Sequence, residues 1–204
     1  MTSSPRSRIE QWFPNLRPEE YEITCPEEDP TYNCIAWAAG STDAWWEPST
    51  NPTHFWPDYA PRNDRIDSLV QVFKGLGFVE WEDENDGFEE GYEKVAIYGK
   101  DDTFEHAARQ LPEKRKWTSK LGVYEVIEHD NVYGLTGERY GLVMKVLRRA
   151  IAQPTAAKSE LAEKKPTAAP EGEKQAASAE STSVSSPSDQ SGPAAVLLPA
   201  PQQP

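Results

Sequence analysis

The chain has 204 residues, with 34 Asp and Glu against 21 Lys and Arg, a formal net charge of −13 at pH 7. So acidic a balance repels phosphate backbones and no basic stripe offsets it, which excludes nucleic acid as the expected ligand; cationic peptides or amines fit better, alongside plain solubility. No run approaches the ~18 apolar residues of a membrane span, and the start, Met1-Thr2-Ser3-Ser4-Pro5-Arg6, has no apolar core of the kind that targets export, so a cytoplasmic protein without membrane contact is expected.

From Ala152 onward there is no aromatic residue, and Ala, Pro, Ser, Glu, Lys, Thr and Gln dominate. Such a stretch buries too little to offset the entropy of ordering it, so residues 151–204 are predicted as a disordered tail that suits a flexible tether. Residues 1–8 are expected to be a flexible N-terminus, and residues 9–150 a single globular domain. Only four basic and six acidic residues lie in the tail, so eleven of the thirteen net negative charges belong to the folded part.

Ile9–Leu16 reads as a short helical turn ended by Pro14, with Trp12, Phe13 and Leu16 capping the core. Tyr32-Asn33-Cys34-Ile35-Ala36-Trp37-Ala38-Ala39-Gly40 has a good N-cap at Asn33 and a left-handed stop at Gly40, which predicts a short buried helix led by Cys34. Trp45, Trp46, Pro48, Pro52, Trp56, Pro57 and Pro61 are too proline-rich for a regular element and too aromatic for a solvated loop; an ordered loop across the domain is expected. Ile66, Leu69, Val70, Phe73 and Leu76 recur at helical spacing, and Gly77 can take the left-handed position after them. Phe78–Trp81 reads as a strand and residues 82–87 as a solvated acidic turn. Strands are expected over Tyr92–Tyr98, Phe104–Leu111 and Trp117–Leu121, an antiparallel meander. Val123–Arg139 is ambiguous, with one helical turn near Ile127–Leu135, and Tyr140–Arg149 reads as a last strand with a helix as the alternative. The fold class is α+β: a Cys-led helix and further helices on a small antiparallel sheet.

The chemistry would centre on Cys34. At a helix N-terminus, unpaired N–H groups and the helix dipole favour thiolate, the form that attacks carbonyls. Only one other cysteine occurs, Cys25, and in a reducing compartment both thiols are expected to be free. The period-two rule puts Phe104, His106, Ala108 and Gln110 on one strand face, and small Ala108 would let a packed helix bring Cys34 toward His106. If Leu111 pairs with Lys116, Ser119 lies opposite Ala108 and diagonal to His106, and with a tighter Pro112-Glu113 turn it lies directly across from His106; either register lets the hydroxyl hold the imidazole. Catalysis would then use Cys34, His106 and Ser119. Asn33 or Tyr32 would supply a second oxyanion donor, and Trp45, Trp46 and Lys120 would line the substrate site. His129 is an alternative base and His54 a structural or solvent-facing one. Arg109 and Lys94 could join Lys120 in holding an anionic group. No metal or other cofactor is expected, because the Cys and His residues lack paired ligand spacing.

Tyr-Asn-Cys-Ile-Ala-Trp-Ala, Lys-Val-Ala-Ile-Tyr, His-Ala-Ala-Arg-Gln and Trp-Thr-Ser-Lys-Leu-Gly together resemble a bacterial domain family of uncharacterised function, over roughly Glu10–Arg149. The order of a Cys-led helix followed by a small antiparallel sheet carrying His is similar to the NlpC/P60 and CHAP branch of papain-like hydrolases. That resemblance implies a papain-like layout and a cysteine hydrolase or amidase acting on a peptide, isopeptide or glutamine amide. In that branch the histidine commonly begins the Val-Ala-Ile strand, where this chain has Lys94, and His106 falls where the third, orienting residue stands. The alternative is a non-catalytic binding module whose Trp/Pro-rich loop recognises a partner. A third reading is a regulatory partner that uses its acidic face. The oligomeric state is not legible in the sequence.

Overall fold

The computed structural model describes residues 4–81 and 86–151. The chain divides into two units after Ala156, and the expected disordered tail, from residue 152 on, lies outside the described residues, as does most of the acidic turn. Ser4 accepts the Ser7 N–H at 3.2 Å to cap helix α1 (Pro5–Trp12), with Pro5 in the first turn, where its missing N–H costs nothing. This helix starts inside the segment expected to be flexible. Arg8 holds it down, pairing with the buried Glu125 and lying 4.2 Å over the Tyr124 ring.

Strand β1 (Tyr21–Cys25) precedes helix α2 (Cys34–Ala39). The Trp/Pro loop holds only two short strands, β2 (Trp45–Trp46) and β3 (His54–Phe55), which pair in parallel. Helix α3 (Ile66–Gly75) and strands β4 (Val79–Glu80), β5 (Tyr92–Lys100), β6 (Thr103–Leu111), β7 (Lys116–Lys120), β8 (Val126–His129) and β9 (Leu142–Ala150) complete the regular structure, with a 3-10 turn over Val132–Leu135. Seven strands form one sheet in the order β1-β8-β7-β6-β5-β9-β4, with every neighbouring pair antiparallel. The fold is therefore mixed helix and strand with an antiparallel sheet. Two segments correct the sequence expectation. Val126–His129 is a buried strand rather than part of a helical turn, and Tyr21–Cys25, which no signal had marked, pairs with it as the sheet edge.

Side-chain alternation divides the core in two. On one face Val95, Ile97, Ala107 and Leu147 meet Ile35 and Ala36 of α2, Leu69, Val70 and Phe73 of α3, and Trp46 and Trp56 of the loop. On the other, Ala96, Tyr98, Ala108, Trp117 and Ile127 meet Ile9, Phe13, Leu16, Leu135 and Tyr140. A bulge sits between the pairs Tyr98↔His106 and Gly99↔Phe104. The extra residue, Glu105, shifts the alternation, so Phe104 leaves the face of His106 and stacks on Trp56 at 6.0 Å.

Beside that bulge, Gly141 adopts φ 73° and a Cβ there would stand 2.0 Å from the carbonyl oxygen of Gly99. Both the left-handed backbone and the close approach of two strands require glycine. Gly141→Ala is expected to cost at least ~2 kcal/mol of stability, the scale of enforced backbone strain; an unchanged midpoint in urea unfolding would show that β9 can move aside.

Candidate functional site

Helix α2 forms as its sequence dictates: Asn33 Oδ1 accepts the Ala36 N–H at 3.1 Å and Gly40 closes it at φ 84°. Asn33 does more than cap. The same oxygen accepts the Trp46 N–H at 3.3 Å, and Nδ2 donates to the Trp46 carbonyl at 2.7 Å. All of these contacts are buried, so the amide is committed to joining the helix to the Trp/Pro loop and is not free to meet a substrate. Trp46 is likewise in the core, packed on Phe55 at 4.6 Å.

Cys34 stands in the first turn of α2, yet its thiol is buried and burial pushes its pKa up to about 11. Hydrogen bonding with the backbone of Ala107 and Ile35 works the other way without overcoming that cost. The expected activation by the helix N-terminus is outweighed because the thiolate would lose its hydration.

His106 does not share a face with Cys34. The thiol packs with the cluster that includes Ala107, whereas His106 pairs with Tyr98 and lies in the cluster that includes Ala108. There it stacks on Tyr140, with ring centroids 4.1 Å apart and 3° between planes, and meets Tyr98 at 5.3 Å. The structure thus places nucleophile and base on opposite sides of the sheet, a correction to the expected pair. Helix α2 packs on Ala107 rather than Ala108.

Around His106 a different arrangement emerges. The pairing of Leu111 with Lys116 is the one that sets Ser119 diagonal to His106, and the Ser119 hydroxyl lies 3.1 Å from His106 Nε2. It also lies 3.1 Å from Nε2 of His129, whose Nδ1 is 2.9 Å from the Asn131 carbonyl. A carbonyl only accepts, so His129 carries its proton on Nδ1; its Nε2 then accepts from Ser119, and Ser119 accepts the Nε2 proton of His106. His106 Nδ1 is left as a bare acceptor with no hydrogen-bond partner among the described residues. Sequence reasoning treated His129 as a rival base; the pairing of Trp117 with His129 brings it instead into one buried chain with Ser119 and His106.

Lys120 is buried on the other face. It donates to the carbonyls of Gly122 and Tyr124 and lies 5.2 Å over the Tyr32 ring. Burial lowers its pKa, and its protons are spent on the turn after β7 rather than on a ligand. Of the other expected cations, Arg109 shares the α2 face with Lys120 and lies 4.3 Å over Trp37, while Lys94 is on the opposite face with Ala96 and donates to the Gly87 carbonyl.

One predicted residue does line an opening. Trp45, with His54 beside it, borders a cleft of about 570 Å³ whose lining includes Pro30, Thr31 and Val123. His54 approaches Glu47 at 2.7 Å, Ser49 at 2.9 Å and Asn51 at 3.1 Å, so it props the rim.

Comparison with protein families matches residues 22–148 to one described as "Domain of unknown function (DUF7689)". Comparisons with curated proteins and with solved structures return no match. Among the described residues no helix is long and apolar enough to cross a membrane.

Two measurements test this geometry. Burial holds the His129 pKa down to about 4 and that of His106 well below its usual 6.5. Stability is therefore complete above pH 6.5 and falls as pH drops toward 4, because the unfolded chain takes up protons that the folded one refuses. The expected slope between pH 6.5 and 5, above the carboxylate range, approaches ~1.4 kcal/mol per pH unit for each imidazole; a flat profile in urea unfolding would mean that the imidazoles are hydrated. Second, native alkylation near neutral pH should modify Cys25 and spare Cys34, with both reacting in urea, and two modifications in the native state would disprove the seal.

Proposed function

The chain belongs to this domain family, and we propose that it acts as a non-catalytic binding module whose Trp/Pro-rich loop recognises a peptide or protein partner. The observation that carries this is a contrast. The loop residue Trp45 faces an open cleft, whereas the residues that hydrolysis would need are sealed and split between two faces. A Cys-led helix on an antiparallel sheet, the feature that resembles papain-like hydrolases, would persist here as a packing solution.

The physical chemistry of Cys34 supports the same reading. With its pKa pushed up to about 11, the thiol is overwhelmingly protonated near neutral pH and is a poor nucleophile. The imidazole that could deprotonate it is instead engaged by Ser119 and covered by Tyr140. By contrast, the loop is pinned at Asn33 and Trp56, whose indole N–H donates to Pro61 at 3.0 Å, so its exposed side chains are presented on a rigid frame.

Selection of displayed random peptides on the full chain tests the proposal. Enriched peptides are expected to lose at least tenfold in affinity for Trp45→Ala while binding a variant altered on the opposite face, such as Arg139→Gln, unchanged. In parallel, an electrophilic amide probe should leave Cys34 unmodified by intact mass. An adduct that disappears in Cys34→Ala and in His106→Ala would replace this reading with the thiol hydrolase.

A further inference from the structure

Successive strand residues alternate sides, so in β2 Trp46 enters the core while Trp45 borders the cleft, whose lining also includes Asp43, Ala44 and Glu47. Pairing with β3 extends one step beyond β2, through the Glu47 N–H to the Phe55 carbonyl at 3.0 Å, and anchors this side of the opening. The cleft therefore carries an indole with one carboxylate two residues before it and another two residues after it in the chain. Among the described residues its lining includes no Lys or Arg. Among the described residues the Glu47 carboxylate pairs with the imidazole of His54 and with no Lys or Arg, and Asp43 has no ion pair.

The treatment of the other tryptophans sharpens this. Trp46, Trp56 and Trp117 are buried in the core. The partly exposed ones are each covered by one of the chain's own guanidinium groups: Trp12 by Arg139 at 3.6 Å, Trp37 by Arg109 at 4.3 Å and Trp81 by Arg148 at 3.0 Å. Trp45 is the remaining one, and among the described residues no cation lies over it. The chain uses a positive group to cover each accessible indole except the one that faces the cleft between two carboxylates.

From this we infer that the cleft takes an organic cation, an alkylammonium or guanidinium group, seated on the Trp45 ring between Asp43 and Glu47. The inference rests on the proposed binding role of the loop and names its ligand class. An aromatic face flanked by carboxylates attracts such a group through the ring quadrupole and through charge. A cleft of about 570 Å³ lies within the range of ligand pockets and has room for a basic side chain with the peptide unit that carries it. Basic peptides and free polyamines share this chemistry.

Calorimetric titration of the full chain with acetylated Lys- and Arg-containing peptides, their acetyl-lysine and citrulline counterparts, and spermidine tests it. The basic peptides are expected to bind, to weaken with added salt, and to lose at least tenfold when the charge is removed. Trp45→Leu should weaken them about three- to thirtyfold, and Asp43→Asn with Glu47→Gln should also weaken them and flatten the salt dependence. The second variant alters exposed or rim side chains, so it reads the site even if Trp45→Leu loosens the loop. Spermidine binding with the same dependence on Trp45 would uphold the cation and assign its source to free amines. If no cation binds while a neutral or acidic peptide binds through Trp45, the ligand class is overturned and the binding module stands. If neither a peptide of any charge nor spermidine depends on Trp45, both fail.

Discussion

The buried amide of Asn33 is the contact on which the functional face depends. One side chain ends the helix that carries Cys34 and holds both backbone polar groups of Trp46, so the start of α2 and the Trp/Pro loop cannot move independently. Each of these bonds lies out of water, where an unmade partner would cost roughly 1–3 kcal/mol. With Trp46 fixed, strand alternation turns Trp45 outward to the cleft that Asp43 and Glu47 also line. The position of the indole is thus a consequence of where one N-cap residue sits.

Much of this was legible in the residues. Asn33 and Gly40 bracket α2 because their side-chain chemistry admits little else, and the apolar spacing from Ile66 to Phe73 fixes α3. The hairpin allowed two registers, and in either one Ser119 reaches His106; the structure pairs Leu111 with Lys116 and forms that hydrogen bond. What the sequence could not decide was which side of β6 the helix would choose. Ala107 and Ala108 are adjacent, equally small and both fully buried, so either permits close approach. The bulge at Glu105 added a second ambiguity by moving Phe104 to the α2 face, against the simple period of two. Reading Phe104 and His106 as one face placed the imidazole beside the thiol; the structure places them apart.

β1 and β8 escaped notice for a related reason. Val126-Ile127-Glu128-His129 is buried throughout although half of it is polar, because Ser119 and the Asn131 carbonyl satisfy His129 while Lys114 pairs with Glu128. A pattern search that assigns polar residues to solvent misses such a strand. Its partner Tyr21–Cys25 alternates between buried and exposed positions, but at five residues and ahead of a proline it carries a weak signal.

The buried chain of His106, Ser119 and His129 bears on function by what it forbids. Both imidazoles remain neutral because protonation would place a charge between Tyr98, Tyr140 and Trp117 with no acid beside His106 to compensate. A base for hydrolysis must gain and release a proton in each cycle, which requires that its charged form be stable at the working pH. The same packing that stabilises this face of the sheet therefore withholds His106 from acid–base work. Asp43 and Glu47 beside Trp45 have no Lys or Arg ion pair among the described residues, and recognition at that cleft demands no titration at all.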